Sequence, residues 1–213
     1  MHIAIFSDVI CPWCLIGKRR LERALGEAGL AGAVAIEWLP FELNPDMPPE
    51  GMARSEYRAR KFGPERAAAL DAQMRQTGLD EGIRFAFDRM QRTPNTRRAH
   101  MLIAHAQERG KGDAVVEALF AAYFEEAADI GDEAVLVAIA ERAGLDPEQA
   151  RAALHDDELR AGVVAGERRA GELGISGVPF FIIDNAWAVS GAQPAAAWLE
   201  VLAKAGDRPA AAE

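Results

Sequence analysis

The stretch FSDVICPWCLIGKRR, Phe6 to Arg20, contains both cysteines of the chain, Cys11 and Cys14, separated by Pro12 and Trp13. The residues leading into it, HIAIFS (2–7), run apolar through Ile3, Ile5 and Phe6 and predict a short buried strand. Beyond Cys11, the residues Cys14, Gly17, Leu21, Ala24, Leu25 and Ala28 recur at helical spacing and predict a helix from Pro12 to Gly29. Pro12 then occupies the first helical position, where its fixed φ fits and its missing N–H costs nothing. Cys11 becomes the N-cap, where first-turn amides and the helix dipole favour a thiolate. Cys14 lies on the inward stripe with Leu21 and Leu25, shielded from solvent. A separation of two residues at a helix start lets the sulfurs reach bonding distance. This pattern predicts that Cys11 attacks and Cys14 resolves in thiol–disulfide exchange. Gly17, one turn on, would let the helix lie close against a strand.

After this helix, AVAIEWLPFEL places Val34, Ile36 and Trp38 at period two, a second strand parallel to the first. The proline-dense NPDMPPEG (44–51) cannot continue either element and reads as a linker. Helical periodicity then dominates. VVEALFAAYFEEA carries Val116, Leu119, Phe120, Tyr123, Phe124 and Ala127, and its aromatic residues read as core. DEAVLVAIAERAG ends at Gly144, a C′ residue. DPEQARAAL opens with Asp146 as N-cap, Pro147 at N1 and Gln149 at N3. A further helix carrying Leu159, Val163, Gly166, Ala170 and Leu173 stops at Gly174. The apolar run VPFFII and the shorter NAWAVSG flank Asp184–Asn185, the signature of a hairpin. PAAAWLEVLAKAG closes the chain as a helix, and DRPAAAE reads as a disordered tail. Strands therefore sit at both ends of the chain, around an all-helical block.

Composition narrows the function. The 213 residues are 50% hydrophobic and 27% charged, enough for a core without disulfide staples. A net charge of −9 disfavours a nucleic-acid partner, which needs a basic stripe, and an anionic membrane surface. No segment approaches the roughly 18 unbroken apolar residues of a membrane span. The start of the chain lacks the basic region and cleavage site of a secretory signal. The expectation is a cytoplasmic protein, in which a Cys-x-x-Cys pair is redox-active or metal-binding rather than structural. Zinc needs four ligands. The other candidates are His2, His100, His105 and His155, and a spacing of five splits His100 and His105 across helix faces, so no metal is expected.

The second feature is GISGVPFFII, with Pro179 at the mouth of an apolar strand. Proline cannot donate to a ladder, and a cis Val178–Pro179 bond would explain its presence there. With this residue added, the motifs SDVICPWCLIG, NTRRAH (95–100), GISGVPFFII and VSGAQP (189–194) span nearly the whole chain. Together they resemble the DsbA family, closest to its FrnE-like branch near the 2-hydroxychromene-2-carboxylate isomerases and kappa-class glutathione transferases. The resemblance implies an α/β thioredoxin fold with a large all-helical insertion. Residues 1–43 and 157–205 would form the thioredoxin-fold domain, 44–156 the helical insertion domain and 206–213 a flexible tail.

The implied activity is thiol–disulfide oxidoreduction on a protein or small-molecule disulfide or dithiol. No bound cofactor is implied; glutathione or another thiol would be the co-substrate. Cys11 would be the nucleophile, Cys14 the resolving thiol and Pro179 the cis proline facing them. Val178 would offer its backbone N–H and C=O to substrate, beside Trp13. Asn95, His100 and Gln193 match motif positions expected to face the site, with a helix cap and a helix-surface histidine as the plain alternatives for the first two. Asp8 would cap a turn or carry protons to a thiol. The isomerase and transferase relatives usually carry serine at the first cysteine position and lack the second. Both thiols are present here, which favours redox exchange over glutathione-dependent isomerisation, the alternative activity.

Overall fold

The structure, a computed structural model, describes residues 1–206; the tail expected to be disordered lies, from residue 207, outside the described residues. Strand β1 (His2–Ser7) pairs in parallel with β2 (Ala35–Pro40), joined by helix α1 (Pro12–Glu27). Strands β5 (Phe180–Ile183) and β6 (Trp187–Ser190) complete one sheet in the order β2-β1-β5-β6, with β5 antiparallel to both of its neighbours. The β5–β6 connection is the expected hairpin. Asp184 and Asn185 take φ values of 47° and 52°, and the Ala186 N–H donates to the Ile183 carbonyl. Asn and Asp tolerate this left-handed geometry better than other non-glycine residues. The Asp184 carboxylate also accepts from the His2 N–H at 2.7 Å, fastening the turn to the start of β1.

Between β2 and β5 the chain forms β3 (Met52–Ala53), α2 (Arg54–Phe62), α3 (Pro64–Asp80), β4 (Arg92–Thr93), α4 (Arg97–Gln107), α5 (Gly112–Phe120), α6 (Glu133–Arg142), α7 (Pro147–Ala153) and α8 (Asp157–Glu172). Helix α9 (Ala195–Gly206) follows the hairpin. The block expected to be purely helical thus carries a two-stranded antiparallel ribbon, β3–β4. Two residues per strand are too few for a period-two signal. The chain approaches closely just before it: a side chain on Gly51, where φ is 67°, would meet the Thr93 carbonyl at 2.7 Å. The helix expected across VVEALFAAYFEEA ends as α5 at Phe120 and continues as a π-helical turn over Ala121–Glu125.

The sheet is covered on both faces. Ile3, Ile5, Phe181 and Ile183 pack with Leu15, Leu21 and Trp198 from α1 and α9. Phe6 packs with Ala170 and Ile175, from α8 and the turn after it, and Phe180 and Ile182 lie against this second cluster. Phe120, Tyr123 and Phe124 are buried in the larger core, as expected from their spacing. Helix α1 ends slightly earlier than expected, and Ala28, its C-cap, is exposed rather than inward. Asp146 caps α7 by accepting from the Gln149 N–H at 2.9 Å, as its position predicted. Gly144 and Gly174, at φ 81° and 73°, follow α6 and α8. The architecture is a thioredoxin fold with a helical insertion, the fold implied by the resemblance.

Candidate active site

Strand β1 delivers the chain to the site. Phe6 pairs with Phe180, so the β1 exit lies beside the residues that lead into β5. Cys11 caps α1 with extended backbone (φ −89°, ψ 112°), and Pro12 begins the helix. The Cys11 N–H donates to the Asp8 carbonyl at 3.0 Å, and its carbonyl accepts from the Cys14 N–H at 3.0 Å. Both thiols are free. The Val178–Pro179 peptide bond is cis, and the Cys11 Sγ stands 3.6 Å from the Val178 carbonyl oxygen. Helix α1 lies close to this proline at Gly17, where a side chain would come within 2.9 Å of Pro179 Cγ and 3.3 Å of Phe181 Cζ.

The two sulfurs differ in environment. Cys14 is 1% exposed and packed in the core. Burial pushes its thiol well above the ordinary range, and the neighbouring Cys11 adds to the shift, against smaller opposite effects of Ser7 and the Asp8 backbone. Cys11 is 5% exposed and lines a groove of about 370 Å³ with Trp13, Val178 and residues of α2 and α3. Brief alkylation of the reduced protein below neutral pH is therefore expected to label Cys11 and spare Cys14. Peptide mass spectrometry checks this; preferential labelling of Cys14 would reverse the roles.

The far wall of the groove was not read from the sequence. Arg54, Tyr57, Arg58 and Lys61 come from α2, and Asp71 from α3. Arg54 and Arg58 share the Asp71 carboxylate at 2.8 and 2.6 Å. Arg54 lies 5.0 Å over the Phe87 ring and Arg58 4.6 Å over Phe62. The Lys61 ammonium donates to the Tyr57 hydroxyl at 2.7 Å. Burial, opposed by Asp71 and reinforced by Arg54, lowers the Arg58 guanidinium from its usual value. Three cations around one carboxylate make this wall positive, although the whole chain is acidic. The spacing of 54, 58 and 61 in RSEYRARKF, one helical stripe, was the available signal.

Three residues expected at the site are elsewhere. Asn95 is absent from the groove lining; it accepts from the Arg97 N–H at 3.0 Å and donates to the Met47 carbonyl at 2.7 Å, holding the 44–51 loop to the start of α4. Gln193 is exposed, and its side-chain amide donates to the Ser190 carbonyl at 2.7 Å within its own turn. His100 is 4% exposed rather than on a helix surface, and it faces Asp8, not the Cys11 groove. His100 and His105, expected on separate faces, line one crevice, because α4 is enclosed by β2, α7 and α8 and offers several buried faces. Asp8 itself is fully buried; its carboxylate accepts from the Leu43 N–H at 2.7 Å and lies 3.6 Å from His100 Nε2.

Comparison with known proteins agrees with this geometry. Residues 2–203 match the DSBA-like thioredoxin domain. A solved structure of a probable DsbA oxidoreductase from Streptomyces coelicolor, SCO1869, is 34% identical; the match covers 100% of this chain and 93% of that one, at a TM-score of 0.90. The cytosolic disulfide reductase DsbM from Pseudomonas aeruginosa superposes at a TM-score of 0.71 with 18% identity, over 96% of this chain and 98% of that one. A 2-hydroxychromene-2-carboxylate isomerase superposes at 0.70 with 15% identity, over 97% and 94%. The last two likenesses are likenesses of fold.

Proposed function

We propose that this chain, which belongs to the DSBA-like thioredoxin domain family, is a thiol–disulfide oxidoreductase whose redox centre is Cys11-Pro12-Trp13-Cys14. The observation that carries this reading is the pairing of two unlike thiols. Cys11 caps a helix 3.6 Å from the Val178 carbonyl, beside Pro179, and Cys14 is buried behind it. Cys11 opens a disulfide by forming a mixed disulfide, and Cys14 closes the cycle by displacing it. Pro179 shapes the wall opposite Cys11, and the Val178 backbone pairs with the substrate chain as a short added strand. Residues 1–43 and 157–205 hold the thiols and the proline, while the helical insertion, 44–156, supplies the cationic wall.

A protein or low-molecular-weight disulfide is the substrate, with glutathione or another thiol as co-substrate. The excess of Arg54, Arg58 and Lys61 over Asp71 suits a thiol or peptide that carries carboxylates. DsbM has also been solved with GSH. The test sets two assays side by side: reduction of insulin with a thiol donor, and isomerisation of a chromene-type carboxylate with catalytic glutathione. Insulin reduction with little isomerisation is the expected result. Robust isomerisation without net redox change would replace the proposed activity by a glutathione-dependent one.

A further inference from the structure

Exchange begins when a disulfide brings one of its sulfurs into contact with the attacking thiol, yet Cys11 is only 5% exposed. The groove of about 370 Å³ that holds it is lined on one hand by Cys11, Trp13 and Val178. On the other hand it is lined by the helical hairpin α2–α3, through Tyr57, Arg58, Lys61, Leu70 and Met74. Access to Cys11 is therefore decided by where this hairpin stands.

The hairpin is braced within itself. Asp71 of α3 holds Arg54 and Arg58 of α2, and Arg58 Nη2 also donates to the Ala67 carbonyl at 3.0 Å. Its base is fixed to the rest of the chain. The Arg54 N–H donates to the Gln91 carbonyl at 2.8 Å, and a side chain on Gly78 would come within 2.5 Å of the Phe85 ring. Glu81, which caps the end of α3, takes Arg20 and Arg23 of α1, each at 2.6 Å. Away from the base the hold is light. Helix α2 has no buried residue, and α3 buries Ala67, Met74 and Gly78. There the hairpin meets Asn44, at the start of the 44–51 loop. The Tyr57 hydroxyl donates to Asn44 Oδ1 at 3.0 Å, and the Lys61 ammonium donates to the same oxygen at 3.4 Å. Asn44 Nδ2 is buried without a hydrogen-bond partner among the described residues, so the closed contact keeps an unpaired donor, which lowers the cost of parting it. A segment with few buried contacts opens at a lower free energy than the core it covers.

We infer, with Cys11 as the attacking thiol of the redox reading above, that the α2–α3 hairpin is a gate that sorts disulfides by size and that Asn44 is its latch. A low-molecular-weight disulfide enters the groove while the gate is closed. A disulfide of a folded protein carries chain on both sides of each half-cystine, more than a groove of this volume holds. It reaches Cys11 only when the hairpin swings away about its base. Exchange with a protein is then slowed by the fraction of molecules whose gate is open, and exchange with a small disulfide is not. The favoured substrate class is the low-molecular-weight disulfide. Asn44 does not line the groove, so it sets this preference through the position of the hairpin and not by touching substrate.

The test compares the reduced wild type with Asn44→Ala, each mixed with excess 2-hydroxyethyl disulfide, which is small and uncharged, or with insulin. Samples quenched by alkylation at intervals report oxidation of the cysteine pair by intact mass. Asn44→Ala is expected to raise the insulin rate by about fivefold, the effect of losing one or two hydrogen bonds, and to leave the small-disulfide rate within about twofold. Hydrogen exchange of residues 57–61 should quicken by a similar factor in Asn44→Ala, while that of α1 stays as in wild type. An insulin rate that rises by no more than the small-disulfide rate would overturn the gate. Failure of wild type to react with either disulfide would defeat the redox reading instead. Should Asn44→Ala not fold, Tyr57→Phe removes the same bond from the hairpin's side and hydrogen exchange decides: faster exchange over residues 57–61 supports the latch, and unchanged exchange overturns it.

Discussion

Replacing Cys14 by serine is expected to convert the protein into a trap. Cys11 keeps its place at the start of α1 and its contact with the Val178 carbonyl, so it still attacks a disulfide. The mixed disulfide then has no internal thiol to displace it. Incubation of Cys14→Ser with oxidised glutathione or a disulfide protein should give a stable one-to-one adduct, visible by intact mass and released by dithiothreitol. Cys11→Ser should form almost none, because Cys14 is buried and its thiol is held protonated by that burial. Disulfide-reducing turnover should drop by on the order of a hundredfold or more in both variants, as expected when a covalent mechanism loses either thiol. Turnover that survives Cys14→Ser undiminished would remove Cys14 from the mechanism and favour glutathione as the working thiol.

The second large effect concerns stability. Arg97, in the NTRRAH motif, donates through Nε and Nη2 to the two carboxylate oxygens of Glu42 at 2.8 and 3.0 Å. The Glu42 side chain is fully buried, whereas that of Arg97 is 33% exposed. Arg97→Ala would leave a carboxylate buried without its counter-ion. Breaking a buried pair costs about 3–5 kcal/mol, and the partial exposure of Arg97 places this one near about 3 kcal/mol. Equilibrium urea unfolding measures the loss. Adding Glu42→Gln to Arg97→Ala should recover about half of it, because the uncompensated charge is gone. A loss below about 1 kcal/mol would class the pair with surface ion pairs. The pair also ties α4 to the segment whose Leu43 N–H donates to Asp8.

The sequence by itself determined the elements that local patterns encode. The β1–α1 unit was legible because Ile3, Ile5 and Phe6 run apolar and Pro12 and Cys11 mark a helix start within a few residues. The hairpin at Asp184–Asn185 and the cap at Asp146 were legible for the same reason: their hydrogen bonds close within four residues. The burial of Cys14 followed from helix periodicity, and the capping place of Cys11 from Pro12 at the helix start.

What only the tertiary structure decided is which distant groups meet. Asn95 and His100 stand in a motif that suggested the active-site groove, but burial of α4 between β2, α7 and α8 turns His100 to Asp8, and Asn95 spends its hydrogen bonds holding the 44–51 loop to the start of α4. Arg54, Arg58 and Lys61 make an ordinary basic helix stripe in sequence, and they become the wall opposite Cys11 only once α2 and α3 fold over it. Periodicity reports which side of an element is apolar. It carries no information on the partner that covers that side, because a hydrophobic face gains about as much from any apolar surface that removes it from water.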